Sequence, residues 1–171
     1  MKKLILIALA ITFTLGSCNQ KQRYTQQSPE IESYKKSFAA YENQNWEELA
    51  SYYADTAKIL NNVTMENAQT VAQMINTNKE DAALFTNVKY DPKTIEYEMV
   101  VTDNGETWVN FWGHWVGTLK ANNKTYIIPA SFTAQFIDGK IVREDGYWDN
   151  SKLAIDMLKL QDTTAQKTVT P

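Results

Sequence analysis

The sequence predicts an α+β domain in which amino-terminal helices cover one face of a curled antiparallel sheet. Two observations carry that prediction. Between Val101 and Asp149 three short polar segments, Asp103-Asn104-Gly105-Glu106, Ala121-Asn122-Asn123-Lys124 and Ile137-Asp138-Gly139-Lys140, separate runs rich in β-branched and aromatic residues. Asn-Gly and Asp-Gly accept the positive φ that tight hairpin turns need, so the segment reads as a meander of strands over 93–102, 107–120, 125–137 and 140–149. Upstream, apolar residues recur at three- and four-residue spacing, as on one face of a helix. Helices first and strands after is an α+β order.

Each element has its own local signal. Ile31, Tyr34, Phe38 and Tyr41 line one face of a first helix, and Ser28-Pro29 before it supplies a cap followed by Pro in the first turn. Asn43-Gln44-Asn45 interrupts the pattern, and a second helix carries Trp46, Leu49, Ala50 and Tyr53. A short strand over Ala57–Leu60 follows. Thr64 is the expected cap of a third helix that begins near Met65 and has Ala68, Val71, Ala72 and Ile75 on one face. Asp91-Pro92 turns the chain into the sheet. Ser151 to Leu160 forms a last helix with Leu153, Ile155, Met157 and Leu158.

The termini read differently. Lys2-Lys3 precede an apolar run, Leu4 to Leu15, too short to span a bilayer comfortably and suited to a cleaved signal peptide over 1–17. The run ends in Leu15-Gly16-Ser17-Cys18, which resembles the lipobox of bacterial lipoproteins. That resemblance implies lipidation of Cys18 and a chain anchored in the cell envelope, at the outer membrane and facing the periplasm. Residues 18–29, rich in Gln, are the expected tether, 30–161 the domain, and 162–171 a polar, disordered tail. Cys18 is the single cysteine, so no internal disulfide forms, and one histidine leaves few transition-metal ligands. Without Lys2 and Lys3 the 17 basic residues fall to 15 against 20 acidic ones, a net charge near −5. That balance argues against nucleic acid, whose phosphates call for Lys and Arg.

Trp46-Glu47-Glu48-Leu49-Ala50-Ser51-Tyr52-Tyr53-Ala54-Asp55-Thr56-Ala57 resembles the helix-to-strand passage of nuclear transport factor 2-like domains. Pro129 to Phe136, Asp138-Gly139-Lys140-Ile141-Val142 and Tyr147-Trp148-Asp149 with Leu153 resemble the SnoaL-like (polyketide cyclase-like) branch. The resemblance implies a cone: three amino-terminal helices close the concave face of a bent sheet around a pocket, and the convex face forms a homodimer. Steroid isomerases of this fold imply a register that turns His114 inward, with Trp108, Asn110, Trp112, Val116 and Thr118. The same register turns Phe132, Ala134, Phe136, Val142, Glu144, Gly146 and Trp148 inward. Their two acidic positions fall here on Asn61 and on Phe132 or Ser131, and neither Asn nor Phe can do that proton chemistry.

Candidate site residues follow. His114 is the single histidine, a side-chain type suited to acid/base work at neutral pH, and Glu144 inside an aromatic pocket would hold its proton more tightly; facing one another they make an acid/base pair. Asp149 is either a pocket acid or the cap of the last helix. Tyr34, Phe38, Tyr41, Tyr53, Asn61, Trp112, Thr118, Phe132 and Trp148 are the expected walls, suited to a flat or apolar small molecule without a cofactor. Three functions fit: an anchored binding protein, a cofactor-free cyclase, isomerase or hydratase using His114 with Glu144 or Asp149, and a module whose convex face recruits a partner.

Overall fold

A computed structural model describes residues 23–168, with side chains described through Gln161. The expected signal peptide and Cys18 lie outside the described residues. Helix α1, Pro29–Glu42, starts where Ser28 Oγ accepts the Ile31 amide at 3.2 Å, with Pro29 at its first position. Ile31 and Tyr34, one turn apart, are completely buried. Helix α2, Trp46–Ser51, is capped by Asn45, and Leu49 is its buried residue. Strand β1, Tyr24–Thr25, lies within the stretch expected to be tether, where it pairs with Val100 and Met99.

Strand β2, Tyr53–Asn61, is longer than expected and runs parallel to the last strand. The third helix also differs. Met65–Asn67 is one 3₁₀ turn, and Thr64 makes no side-chain cap. Gln69 and Ile59 exchange backbone hydrogen bonds of 2.8 and 3.0 Å, which holds the chain extended there. Helix α3, Val71–Leu84, therefore begins after Thr70, in a reciprocal cap: Thr70 Oγ1 accepts the Gln73 amide and Gln73 Oε1 accepts the Thr70 amide.

Strand β3, Phe85–Tyr90, follows with no loop, and β4 spans Glu96–Val101. Strands β5, Thr107–Leu119, β6, Lys124–Ile137, and β7, Lys140–Trp148, form the expected meander with β4. The turns use positive φ at Gly105 (81°), Asn123 (54°), Asp138 (50°) and Gly139 (75°). The sheet order is β1-β4-β5-β6-β7-β2. Along one edge of β5, β4 pairs with residues 107–112 and β3 with residues 115–119. Helix α4, Ser151–Thr168, continues past the expected end at Leu160.

The inward face of β5 is opposite to the one expected. Phe111 lies across from Phe132, and Val109 from Ala134, and Val109, Phe111 and Ala134 are wholly buried. Directly opposed residues of an antiparallel pair share a face, so Val109, Phe111, Gly113, Trp115, Gly117 and Leu119 point under the helices. Trp108, Asn110, Trp112, His114, Val116 and Thr118 point to the convex side. Gly113 and Gly117 make this packing work. A Cβ at Gly113 would sit 2.6 Å from Phe111 Cζ, and one at Gly117 2.3 Å from a Trp115 ring carbon. The two rings lie back along their own strand over the bare glycines. On β7 a register shift places Ile141 inward beside Phe136 and leaves Val142 outside the ladder, so Val142 is corrected as well.

Two apolar clusters fill the concave side. In the first, Phe38 stacks on Phe111 with ring centroids 4.2 Å apart and meets Tyr90 edge-on at 5.0 Å. In the second, Leu153, Met157 and Leu160 of α4 pack on Phe85, Leu119, Tyr126 and Ile128. Asp156 of α4 is tied to the sheet by Lys124 and by the Tyr126 hydroxyl at 2.9 Å. The concave face is thus covered by α1–α3 at one end and by α4 at the other.

Candidate functional site

Where the two clusters meet, they leave a cavity of about 280 Å³. Its walls come from α1 (Phe38, Tyr41), β2 (Tyr53, Asn61), β3 (Tyr90), β5 (Trp115), β6 (Ala130, Phe132) and β7 (Glu144, Trp148), and α3 and α4 close it with Met74, Leu153 and Met157. The size is at the low end of small-molecule sites.

Glu144 is the centre of the site. It stands on β7 beside Ala134 of β6 and Ile59 of β2, facing inward, and only 5 % of its surface is exposed. Tyr34 and Tyr53 both donate their hydroxyls to Glu144 Oε2, at 2.7 and 3.0 Å. No donor among the described residues reaches Oε1. Burial raises the affinity of Glu144 for its proton; the two phenols act in the opposite sense, and Asp145 adds to the rise. Tyr34 and Tyr53 are themselves raised well above the ordinary phenol value, by burial first and then by Glu144, so they stay protonated and keep donating. Glu144 makes no ion pair among the described residues.

Ser37, Asn78 and Asn150 also line the cavity. Trp115 Nε1 donates to the Tyr41 hydroxyl at 3.0 Å, and burial pushes Tyr41 up to about 12. Asn61 Oδ1 is buried with no donor and lies over Gly146, where a Cβ would come within 2.6 Å of it. Asp81 of α3 also lines the cavity, its carboxyl raised by burial and by Glu80. Among the described residues, Lys, Arg and His are absent from the lining.

Of the residues singled out from sequence, the cavity is lined by Phe38, Tyr41, Tyr53, Asn61, Phe132, Glu144 and Trp148; Tyr34 touches it through Glu144. Four others lie elsewhere. His114 is on the convex face opposite Pro129, its amide bonded to Thr94 Oγ1, so it cannot pair with Glu144 through the sheet. Trp112 is on the same face and 41 % exposed. Thr118 meets Thr125 across the strands at 2.9 Å. Asp149 accepts the amide and hydroxyl of Ser151 at the start of α4, which hold its carboxyl below the usual range; it belongs to the helix terminus. Tyr90, Trp115 and Asp81 were missed. Trp115 follows from the glycine pattern of β5, Tyr90 sits in a strand the sequence does not announce, and nothing local marks Asp81.

No family model matches the chain, and no curated protein matches it. Solved structures do. An NTF2-like protein of Burkholderia xenovorans LB400 shares 16 % identity over 76 % of this chain and 97 % of its own, with a TM-score of 0.58. A protein of Shewanella denitrificans OS-217 described as a SnoaL-like polyketide cyclase gives 11 %, 78 %, 99 % and 0.59 for the same measures. A protein of Catenulispora acidiphila with a ketosteroid isomerase-like fold, crystallised with trimethylamine, gives 16 %, 68 %, 84 % and 0.55. At such identities the likeness establishes architecture: the described residues form an α+β cone of the nuclear transport factor 2-like fold, as in SnoaL-like structures.

Proposed function

We propose that the protein is a lipid-anchored envelope lipoprotein whose cone binds a small apolar or aromatic molecule without transforming it. The observation that carries this is the cavity itself, about 280 Å³, walled by Phe38, Tyr90, Trp115, Phe132 and Trp148 around one buried carboxylate. The rings favour a compact apolar body, and the polar side chains among them orient it. The small-molecule reading is in keeping with the trimethylamine held by the Catenulispora protein. Catalysis by an acid/base pair has lost its second member, since His114 is behind the sheet and Asp149 serves α4. The anchor rests on the Leu15-Gly16-Ser17-Cys18 motif.

Native mass spectrometry of the full chain purified from its own membranes tests the reading. A small molecule released on denaturation supports it; an empty domain carrying a stoichiometric second protein overturns it in favour of the partner module. Cys18→Ser should move the protein from the membrane to the soluble fraction, and continued membrane association would remove the anchor.

A second copy is proposed to dock on the convex face, where Trp112, Ser131 and Tyr147 lie abreast and Trp112 and Tyr147 are exposed. Light scattering at micromolar concentration distinguishes monomer from dimer, and Trp112→Glu should dissociate the dimer.

A further inference from the structure

The charge pattern of the cavity says more than its shape. Among the described residues its charged lining side chains are Glu144 and Asp81, both acidic, and no basic side chain joins them. Only 5 % of Glu144 is exposed, yet among the described residues it has no cation beside it. Both phenols that approach it are committed to Oε2, which leaves Oε1 without a donor among the described residues. Asn61 Oδ1 is a further buried acceptor with no donor. Two acceptors of the site, Glu144 Oε1 and Asn61 Oδ1, thus lack a donor among the described residues, and the aromatic faces around them attract cations through their ring quadrupoles. A carboxylate ligand would meet like charge here, and a neutral apolar ligand would leave Glu144 unpaired.

We propose that the occupant is a small organic cation: an amine with an aromatic or branched apolar body, its nitrogen against Glu144 and its body among the rings of Phe38, Tyr90, Trp115, Phe132 and Trp148. Asp81, which lines the cavity from α3, adds a second negative charge to the same site. The inference rests on the binding reading above and narrows it to one charge class. A cation near Glu144 completes the ion pair that the protein leaves half made, and the desolvated site strengthens that attraction relative to water.

Three probes of matched skeleton separate the charge classes: 2-phenylethylamine as the cation, 2-phenylethanol as the neutral analogue and 3-phenylpropanoate as the anion. Titration calorimetry on the full chain at pH 7.5 should give the amine an affinity at least about tenfold above the alcohol, with the anion weakest. Glu144→Gln keeps an acceptor for Tyr34 and Tyr53 but no charge, and should bring the amine and alcohol affinities to within about threefold. Asp81→Asn, at the solvent-facing edge of the cavity, should reduce the amine affinity by a smaller, salt-sensitive factor. Should Glu144→Gln fail to fold, the wild-type ratio and the Asp81→Asn effect carry the test. An alcohol that binds as tightly as the amine, or an amine preference that survives Glu144→Gln, overturns the cation assignment. So does failure of all three probes. None of these results touches the broader binding reading, which stands or falls on whether the protein from its own membranes carries a small molecule. A basic amine identified there supports both readings; a neutral or acidic molecule supports binding and overturns the cation.

Discussion

Removing the hydroxyl of Tyr34 while keeping its ring isolates the bond that organises the site. In Tyr34→Phe the edge-on contacts with Phe38, at 5.0 Å, and Phe136, at 6.1 Å, survive, and only the 2.7 Å bond to Glu144 Oε2 is lost. A hydrogen bond to a buried ionised group contributes about 1.5–3 kcal/mol and one between neutral groups about 0.5–1.5. For a domain of this size each kcal/mol moves the midpoint by about 2–4 °C, so Tyr34→Phe should lower Tm by about 3–12 °C at pH 8. The loss should be smaller at pH 4.5, where more of Glu144 is protonated. In a Glu144→Gln background the phenol faces a neutral amide oxygen, and the same substitution should cost about 1 kcal/mol. Thermal and urea unfolding of the four proteins of this double-mutant cycle at both pH values give the coupling directly. A Tyr34→Phe protein as stable as wild type, or an equal loss in both backgrounds, would show that the Tyr34 hydroxyl gains nothing from the Glu144 charge.

Other consequences can be measured with the same equipment. Glu144 holds its proton above the ordinary value of 4.5, so its contribution to stability is complete below about pH 4.5 and declines as pH rises through the folded-state value. Tyr34, Tyr53 and Tyr90 face it from α1, β2 and β3 and remain neutral, while Asp145 stands next to it on β7, so the stability of wild type minus that of Glu144→Gln should fall from pH 4.5 upward; a flat difference contradicts this. Gly113→Ala should cost about 1–3 kcal/mol in urea unfolding, because the new methyl meets a Phe111 ring that stacking on Phe38 holds in place. Thr70→Ala should cost about 1 kcal/mol and Thr64→Ala close to nothing, since only Thr70 caps α3; equal losses would show the assignment of the helix start to be mistaken.

The meander was legible because turns are local. Asn-Gly and Asp-Gly announce positive φ, and Gly105, Asp138 and Gly139 adopt it. Strand β3 was not legible. Helix α3 passes into it at Phe85 with neither Gly nor Pro between, and Asn87, at φ 57°, breaks the alternation that would have marked a strand. The parallel pairing of β2 with β7 joins residues far apart in sequence and leaves no local trace. The face of β5 was within reach but misassigned. Lys120 to Asn123 connect β5 and β6 through an even number of residues, so odd positions of β5 oppose even positions of β6. With Phe132 inward, Phe111 and Trp115 must be inward, and His114 outward. Glu144 was found because the bulge near Phe136 and Ile141 shifts register before it, leaving Glu144, Gly146 and Trp148 in the expected phase.

The site account rests on a hollow between the sheet and α3 and α4, and the methionines report on it residue by residue. Met74 and Met157 line the cavity, whereas Met65 is half exposed in the 3₁₀ turn before α3 and Met99 lies on β4 outside the lining. With ¹³C-labelled methionine methyl groups, a titration with 2-phenylethylamine should shift the Met74 and Met157 signals together, at one common affinity, and leave Met65 and Met99 in place. Saturable binding that moves Met65 or Met99 while Met74 and Met157 stay still would place the ligand elsewhere and contradict the account.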